Sequence, residues 1–222
     1  MDIFDLIGPV MVGPSSSHTA GAAKIGMTAR QLLGESPVEA EIMLVGSFAA
    51  TGIGHGTDRA LVAGLLGMRP EDERIPDSFR YAREQGLTVR FTDGELPGAH
   101  PNTACLHLTG KSGRTMDVEA ASVGGGRIEV RRIGDMHLRF GASQPTLIVR
   151  NEDQPGSVAD VSRVLAGHGI NIATFQLNRT SRGEEAMMVI ECDAPLRETL
   201  AAEVRALPGI LGVVCLNPEQ EV

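Results

Sequence analysis

Apolar residues recur at two different spacings along this 222-residue chain. Ile25, Ala29, Leu32 and Leu33 share one face at helical spacing and predict a helix directly after Ser15-Ser16-Ser17-His18-Thr19-Ala20. Val38, Ala40, Ile42 and Leu44 then alternate with Glu39, Glu41 and Met43, the pattern of a strand. A short helix is expected over 58–66, after Gly52-Ile53-Gly54-His55-Gly56-Thr57, and another over 78–85. Alternating strands follow at 103–108, 116–120 and 128–132. Helices come first and paired strands later, so this part reads as α+β rather than as a doubly wound sheet.

The last third has its own order. Gly141-Ala142-Ser143-Gln144-Pro145 reads as a linker, which sets the expected domains at 1–143 and 144–222. A strand is expected at 146–150. The turn Asn151-Glu152-Asp153-Gln154-Pro155-Gly156 precedes a helix marked by Val158, Val161, Leu165 and His168. Strands at 170–178 and 186–192 flank the turn Ser181-Arg182-Gly183. Leu196, Leu200, Val204 and Leu207 mark a second helix, stopped by Pro208-Gly209, and a last strand covers 211–216. The order β-α-β-β-α-β is ferredoxin-like: two helices on one face of a four-stranded antiparallel sheet.

Composition narrows the chemistry. With no tryptophan, one tyrosine and six phenylalanines, the cores must be aliphatic. A net charge of −8 and scattered basic residues exclude a nucleic-acid footprint. No apolar run approaches the roughly 20 residues that span a bilayer. The start, Met1-Asp2-Ile3-Phe4-Asp5, lacks the basic residues of a secretory signal, and the apolar run at 7–12 is broken by Gly8-Pro9, so a soluble cytoplasmic protein is expected. Cys105, Cys192 and Cys215 are far apart in apolar or alternating runs, without a CxxC pair. They read as small buried hydrophobes, and no metal site is expected within the chain.

Three short stretches carry candidate chemistry. The serine run sits where orphan N–H groups and the helix dipole favour an anion, and His18 adds a donor or a proton carrier. The plainer alternative is a serine N-cap with small neighbours. In Gly54-His55-Gly56-Thr57-Asp58 the glycines expose the imidazole, and Asp58 either orients His55 or caps the next helix. His100-Pro101-Asn102-Thr103 is a stiff turn before a strand. His107, His137 and His168 read as structural. Gly124-Gly125-Gly126 precedes a strand rather than a helix, so it is not a nucleotide fingerprint.

Together these residues resemble the β subunit of iron–sulfur-dependent L-serine dehydratase, through Gly13-Pro14-Ser15-Ser16-Ser17-His18-Thr19, Gly52 to Asp58, His100-Pro101-Asn102 and Gly124-Gly125-Gly126 with Ile128. The same region is similar in fold to the allosteric substrate-binding domain of D-3-phosphoglycerate dehydrogenase. Residues 151–156 and Gly169-Ile170-Asn171-Ile172-Ala173 resemble an ACT domain, the amino-acid-sensing module.

The resemblance implies elimination of water from L-serine to give pyruvate and ammonia. It implies His55 and His100 as catalytic residues, and Ser15, Ser16, Ser17, His18, Thr19, Asp58 and Asn102 as substrate-binding. Asn151, Asp153, Gly156 and Asn171 would bind an effector; Asn151 stands where related domains often carry histidine. The implied cofactor is a [4Fe-4S] cluster whose iron acts as Lewis acid on the substrate hydroxyl, held by cysteines of a separate α subunit. Self-association through the ACT domains is implied as well. A different reading is a non-catalytic amino-acid sensor or assembly subunit related to the phosphoglycerate dehydrogenase regulatory domains.

Overall fold

The computed structural model describes residues 10–218. The Met1–Asp5 start and positions 7–9 of the apolar run lie outside the described residues. By internal contacts the chain forms two units, Met1–Gly134 and Asp135–Val222.

The first unit begins with a six-residue π-helical turn, Ser16–Gly21, that runs into α1 (Ala22–Leu33). Strand β1 (Pro37–Gly46) follows, then three helices, α2 (Ser47–His55), α3 (Thr57–Leu65) and α4 (Ser78–Glu84). Strands β2 (Thr88–Gly94), β3 (Asn102–Gly110), β4 (Thr115–Gly124) and β5 (Arg127–Ile133) complete it. The sheet order is β2-β1-β3-β4-β5, and β6 (Met136–Phe140) is the first strand past the division. Because the helices α2 to α4 cross over between β1 and β2, that pair is parallel, while β1/β3, β3/β4 and β4/β5 are antiparallel.

Alternation sets the two faces of this sheet. Ala40, Ile42 and Leu44 share a face with Leu108, Leu106 and Ala104, their register partners, and all six are buried. The other face is charged and paired across strands: Arg90 with Glu39 and Glu41 (3.4 and 3.2 Å), His107 with Asp117 (2.8 Å), Arg132 with Glu119 (3.5 Å).

Helices α1 and α3 cross at Gly26 and Gly64. A Cβ on Gly64 would lie 2.1 Å from the Ala23 carbonyl oxygen, and one on Gly26 2.3 Å from that of Leu61. Only hydrogen side chains allow this approach. It holds the π-turn, which leads α1, against the helix that follows His55.

The sequence did not predict α2, β2 or β6. Gly52 and Gly54 made α2 read as a loop, yet its residues Ser47, Thr51 and His55 recur every four positions, as one helical stripe requires.

The second unit has strand order β10-β7-β9-β8, all antiparallel, with β7 (Thr146–Glu152), β8 (Ile172–Arg179), β9 (Glu185–Cys192) and β10 (Ile210–Leu216). Helices α5 (Ser157–Gly167) and α6 (Glu198–Arg205) pack on one face. Leu147, Val149, Val161, Leu165, Met188, Ile190, Leu200 and Val204 form that core. This is the ferredoxin-like arrangement expected. On the edge strand β8, Phe175 and Leu177 remain exposed.

Candidate active site

Ser15 stands in extended conformation as N-cap of the π-turn, and its Oγ accepts a hydrogen bond from the His18 amide at 3.1 Å. The cap and the anion-site readings therefore divide among the serines. Ser15 is spent on the cap. Ser16 and Ser17, half-buried beside it, bond through their hydroxyls to no other described residue. Thr19 is buried, and its hydroxyl points to the His55 carbonyl oxygen at 3.5 Å. A π-turn is a rare feature that recurs at functional sites.

His18 faces α2. Its Nε2 is 3.1 Å from Thr51 Oγ1 and 3.3 Å from Ser47 Oγ, and its Nδ1 is 3.4 Å from Ser15 Oγ. The ring meets Phe48 edge-on at 5.3 Å between centroids and His55 at 4.9 Å. Burial holds the His18 pKa below 6.5, against a raising hydrogen bond to the Ser47 backbone, and the nearby His55 lowers it further.

His55 is the last residue of α2, not a loop residue, and it is exposed. Its Nδ1 is 3.1 Å from the Thr51 carbonyl oxygen. A carbonyl only accepts, so the neutral ring carries its proton on Nδ1 and leaves a lone pair on Nε2. Gly56 at φ 71 then turns the chain at once into α3, a conformation that favours glycine. Gly56, not Asp58, occupies the N-cap position of α3. His55 is oriented by Thr51, and no hydrogen bond joins it to Asp58 among the described residues. Two buried oxygens just past Gly56, Thr57 Oγ1 and Asp58 Oδ1, have no partner. Buried polar atoms are rarely left so, and each marks a place where a water or a ligand atom would bond.

His100 has the opposite tautomer. The Asn102 amide donates to its Nδ1 at 3.1 Å, so the proton sits on Nε2. Thr103 Oγ1 donates to the His100 carbonyl at 2.7 Å, and the Pro101 carbonyl accepts from the Phe48 amide at 3.2 Å. The turn is thereby pinned to the start of α2, the helix that carries Thr51 and His55. Sequence reasoning missed Ser47, Phe48 and Thr51. The four-residue spacing of Ser47, Thr51 and His55 was the signal that would have found the two hydroxyls.

His107 and His168 pair with Asp117 and Glu203, each at 2.8 Å, in keeping with structural roles. Gly124-Gly125-Gly126 forms the turn joining β4 to β5. A concavity of about 390 Å³ on the charged face of the first sheet includes Glu41, Arg90, His107, Asp117 and Arg132, whose charges are satisfied by ion pairs.

In the second unit, Asn151 is 2% exposed; its Nδ2 donates to the Glu152 carbonyl at 2.6 Å, while its Oδ1 is buried without a partner. Asp153 accepts from Arg179 and from the Gly183 amide, each at 3.0 Å, and these bonds hold its carboxyl below the usual range. Gly156 is the N-cap of α5. Asn171 does not join them. It bonds to Asp193 at 2.6 Å, just past the Cys192 end of β9, whereas Asn151 pairs with Ala186 at the other end. Those ends are about 20 Å apart at roughly 3.3 Å per residue.

Among the described residues, no group of three or more His, Cys, Asp or Glu side chains could hold a metal ion, and no helix is long and apolar enough to cross a membrane. The three cysteines are unpaired. Burial raises the pKa of each thiol, to about 11 for Cys192 and Cys215.

The model of the serine dehydratase beta chain matches residues 2–86, and that of the ACT domain matches 145–209. A probable L-serine dehydratase beta chain of Bacillus subtilis is 39% identical over 211 residues, covering 95% of this chain and 96% of that one. The L-serine dehydratase beta chain of Peptoniphilus asaccharolyticus is 37% identical over 202 residues, covering 90% and 91%. A D-3-phosphoglycerate dehydrogenase of Bacillus subtilis is 25% identical over 197 residues, 88% of this chain but 37% of its own length. Identity at this level along nearly the whole length, over an α+β unit followed by a ferredoxin-like one, means that the chain belongs to the L-serine dehydratase beta-chain family and carries an ACT domain.

Proposed function

We propose that this chain is one half of an L-serine ammonia-lyase and works with a separate α subunit to convert L-serine to pyruvate and ammonia. The observation that carries the reading is the pair of opposite tautomers. His55 offers a lone pair on an exposed ring, and His100 offers an N–H. In this reading His55 Nε2 takes the Cα proton. His100 Nε2–H orients the substrate, either at the departing hydroxyl, which then leaves as water with the His100 proton, or at the carboxylate, in which case the hydroxyl leaves as water with the proton that His55 has taken. Aminoacrylate then tautomerises to the imine, and water releases ammonia and pyruvate. Ser16 and Ser17, with Ser15, His18 and Thr19 shaping the turn, hold the carboxylate at the helix start. Asp58 and Asn102 complete the substrate contacts, which agrees with the unpartnered Asp58 Oδ1.

A [4Fe-4S] cluster does not fit this chain's own residues. Its thiols are scattered and held protonated by burial, and cluster ligands are thiolates. The cluster belongs, in this proposal, to the α subunit, and none of the steps assigned to this chain passes through it. Three unpaired cysteines agree with a reducing, cytoplasmic setting.

For residues 144–222 we propose amino-acid regulation through paired ACT domains. Asn151 and Asn171 sit at opposite ends of one sheet, so a single copy cannot bring both to one ligand. Antiparallel pairing of two β8 edges would set Asn171 of one copy beside Asn151 of the other, and would cover Phe175 and Leu177.

The test is His55→Ala in the complex co-expressed anaerobically with its α subunit. A well-placed general base contributes typically about 10²–10⁴-fold, so kcat should fall by that order. An intact complex with unchanged kcat removes His55 from the chemistry.

A further inference from the structure

Thr51 touches both histidines, each through a different oxygen. Its hydroxyl oxygen is 3.1 Å from His18 Nε2 and 2.9 Å from the Ser47 carbonyl oxygen; its own carbonyl oxygen is 3.1 Å from His55 Nδ1. A threonine hydroxyl has one hydrogen. Within a helix it is readily given to the carbonyl four residues back, which is Ser47 here. Once that hydrogen is committed, Thr51 Oγ1 has only lone pairs to show to His18. Against that oxygen the ring brings the proton, on Nε2, where Ser47 Oγ at 3.3 Å can accept it as well.

The rest of the network is consistent with this. With Nε2 protonated, His18 Nδ1 is an acceptor, and Ser15 Oγ lies 3.4 Å away. Ser15 Oγ already accepts the His18 amide at 3.1 Å, so its hydrogen is free to point at Nδ1. Both ring nitrogens of His18 are then satisfied in the neutral form. Phe48 and His55 fix the plane of the ring between them. In the other tautomer, bare Nε2 could take the Ser47 hydroxyl hydrogen at 3.3 Å but would still confront the lone pairs of Thr51 Oγ1 at 3.1 Å. The threonine hydrogen would have to leave Ser47, or the ring would have to turn, and a turn presses it on His55.

We propose that Thr51 is a positioning residue that sets the tautomers of His18 and His55 together: its hydroxyl fixes the first and its carbonyl the second, so that His55 Nε2 is left open toward substrate. The proposal rests on the reading of His55 as proton acceptor. Thr51 itself touches no reacting atom. Its place one helical turn before His55 lets a single residue register the serine turn against the histidine.

Thr51→Val removes the hydroxyl but keeps the β-branch and the carbonyl, and Thr51→Ser puts the hydroxyl back. Two readouts are needed. Long-range ¹H–¹⁵N correlation spectra of the full-length chain report which imidazole nitrogen carries the proton. Steady-state kinetics of the reconstituted complex report kcat and KM. The expected result is a wild-type spectrum with Nε2–H at His18 and Nδ1–H at His55. Thr51→Val should mix the His18 tautomers and lower kcat by between about 10- and 100-fold, the scale of a small misplacement of a catalytic group, with KM little changed. Thr51→Ser should restore both. Thr51→Ala repeats the loss without a β-branch if valine disturbs α2. The proposal is overturned if wild-type His18 is protonated on Nδ1, if its tautomer does not respond to loss of the hydroxyl, or if it responds while kcat stays the same. His55→Ala separates the two failures: if that variant keeps full kcat, the base assignment itself falls, whatever the Thr51 spectra show.

Discussion

His18 and His55 lie ring to ring, 4.9 Å between centroids with planes tilted by 42°, one from the π-turn and one from the end of α2. Burial, with the neighbouring His55 ring adding to it, lowers the pKa of His18. His18 is half-buried in this arrangement and His55 is the exposed ring. The serine run and the glycine-flanked histidine, distant in the sequence, are therefore parts of one device.

The lowered pKa of His18 gives a signed pH prediction. The unfolded chain binds His18's proton near the ordinary value of 6.5, the folded chain only below it. Between those two values the unfolded state holds more protons, so stability falls as pH falls through that window and is fully present above about 6.5. Urea unfolding at pH 7.5 and pH 5.5 should show wild type losing more stability on acidification than His18→Gln. An NMR titration midpoint for His18 above 6.5 would refute the sign.

Cys192 and Cys215, with pKa values near 11, should be poor nucleophiles. At pH 7.5 well under one thiol in a thousand is ionised at such a pKa, against several per cent for a free cysteine. Iodoacetamide should label both on the order of 10²-fold more slowly in the native chain than in denaturant. Rapid native labelling would contradict the burial assigned to them and reopen the question of thiolate ligands in this chain.

Much of this was legible in the residues. The ferredoxin-like order of the second unit follows from periodicity, since Val161, Leu165, Leu200 and Val204 mark helices, and the short strands lie between evident turns. The serine run declared its helix start. Helix α2 was hidden because glycine lowers helix propensity, and two glycines outweighed the Ser47, Thr51, His55 stripe. Its helicity comes from tertiary support: Phe48 is fully buried and its amide bonds to Pro101. Strand β2 was hidden for another reason. It is an edge strand, half-exposed along its length, so its alternation is weak. The separation of Asn171 from Asn151 was invisible because it depends on strand order, which pattern alone does not give.

Asn151 makes a prediction about ligand and stability at once. Its buried Oδ1 has no partner, and an orphaned acceptor costs about 1–3 kcal/mol, which offsets the gain from its Nδ2 bond. Asn151→Ala should therefore leave the stability of the free protein within about 1 kcal/mol, despite near-complete burial. In the proposed regulatory role, wild type should bind L-serine by calorimetry with a rise in Tm, and Asn151→Ala should lose both. Loss of several kcal/mol in the free variant, with binding intact, would make Asn151 a structural residue only.

Gly64→Ala tests whether the α1–α3 crossing maintains the site. The new Cβ would stand 2.1 Å from Ala23 O, 2.7 Å from Met27 N and 2.9 Å from the Cα of Gly26. These are backbone atoms, so no rotamer change relieves the clash and the helices must separate. Overpacking of this kind costs typically about 1–3 kcal/mol, and each kcal/mol lowers Tm by about 2–4 °C in a protein of this size. Gly54→Ala is the contrast: its Cβ meets nothing within 4 Å, and a helical Gly→Ala change gains roughly 0.5–1 kcal/mol. Because α1 carries the π-turn and α3 follows His55 after one residue, separation also moves His18 from His55. Gly64→Ala should then bring the His18 titration midpoint back toward 6.5, as burial and the His55 neighbour are both weakened. A Tm loss with the His18 midpoint unmoved would show that the crossing supports the fold without setting the distance between the two rings.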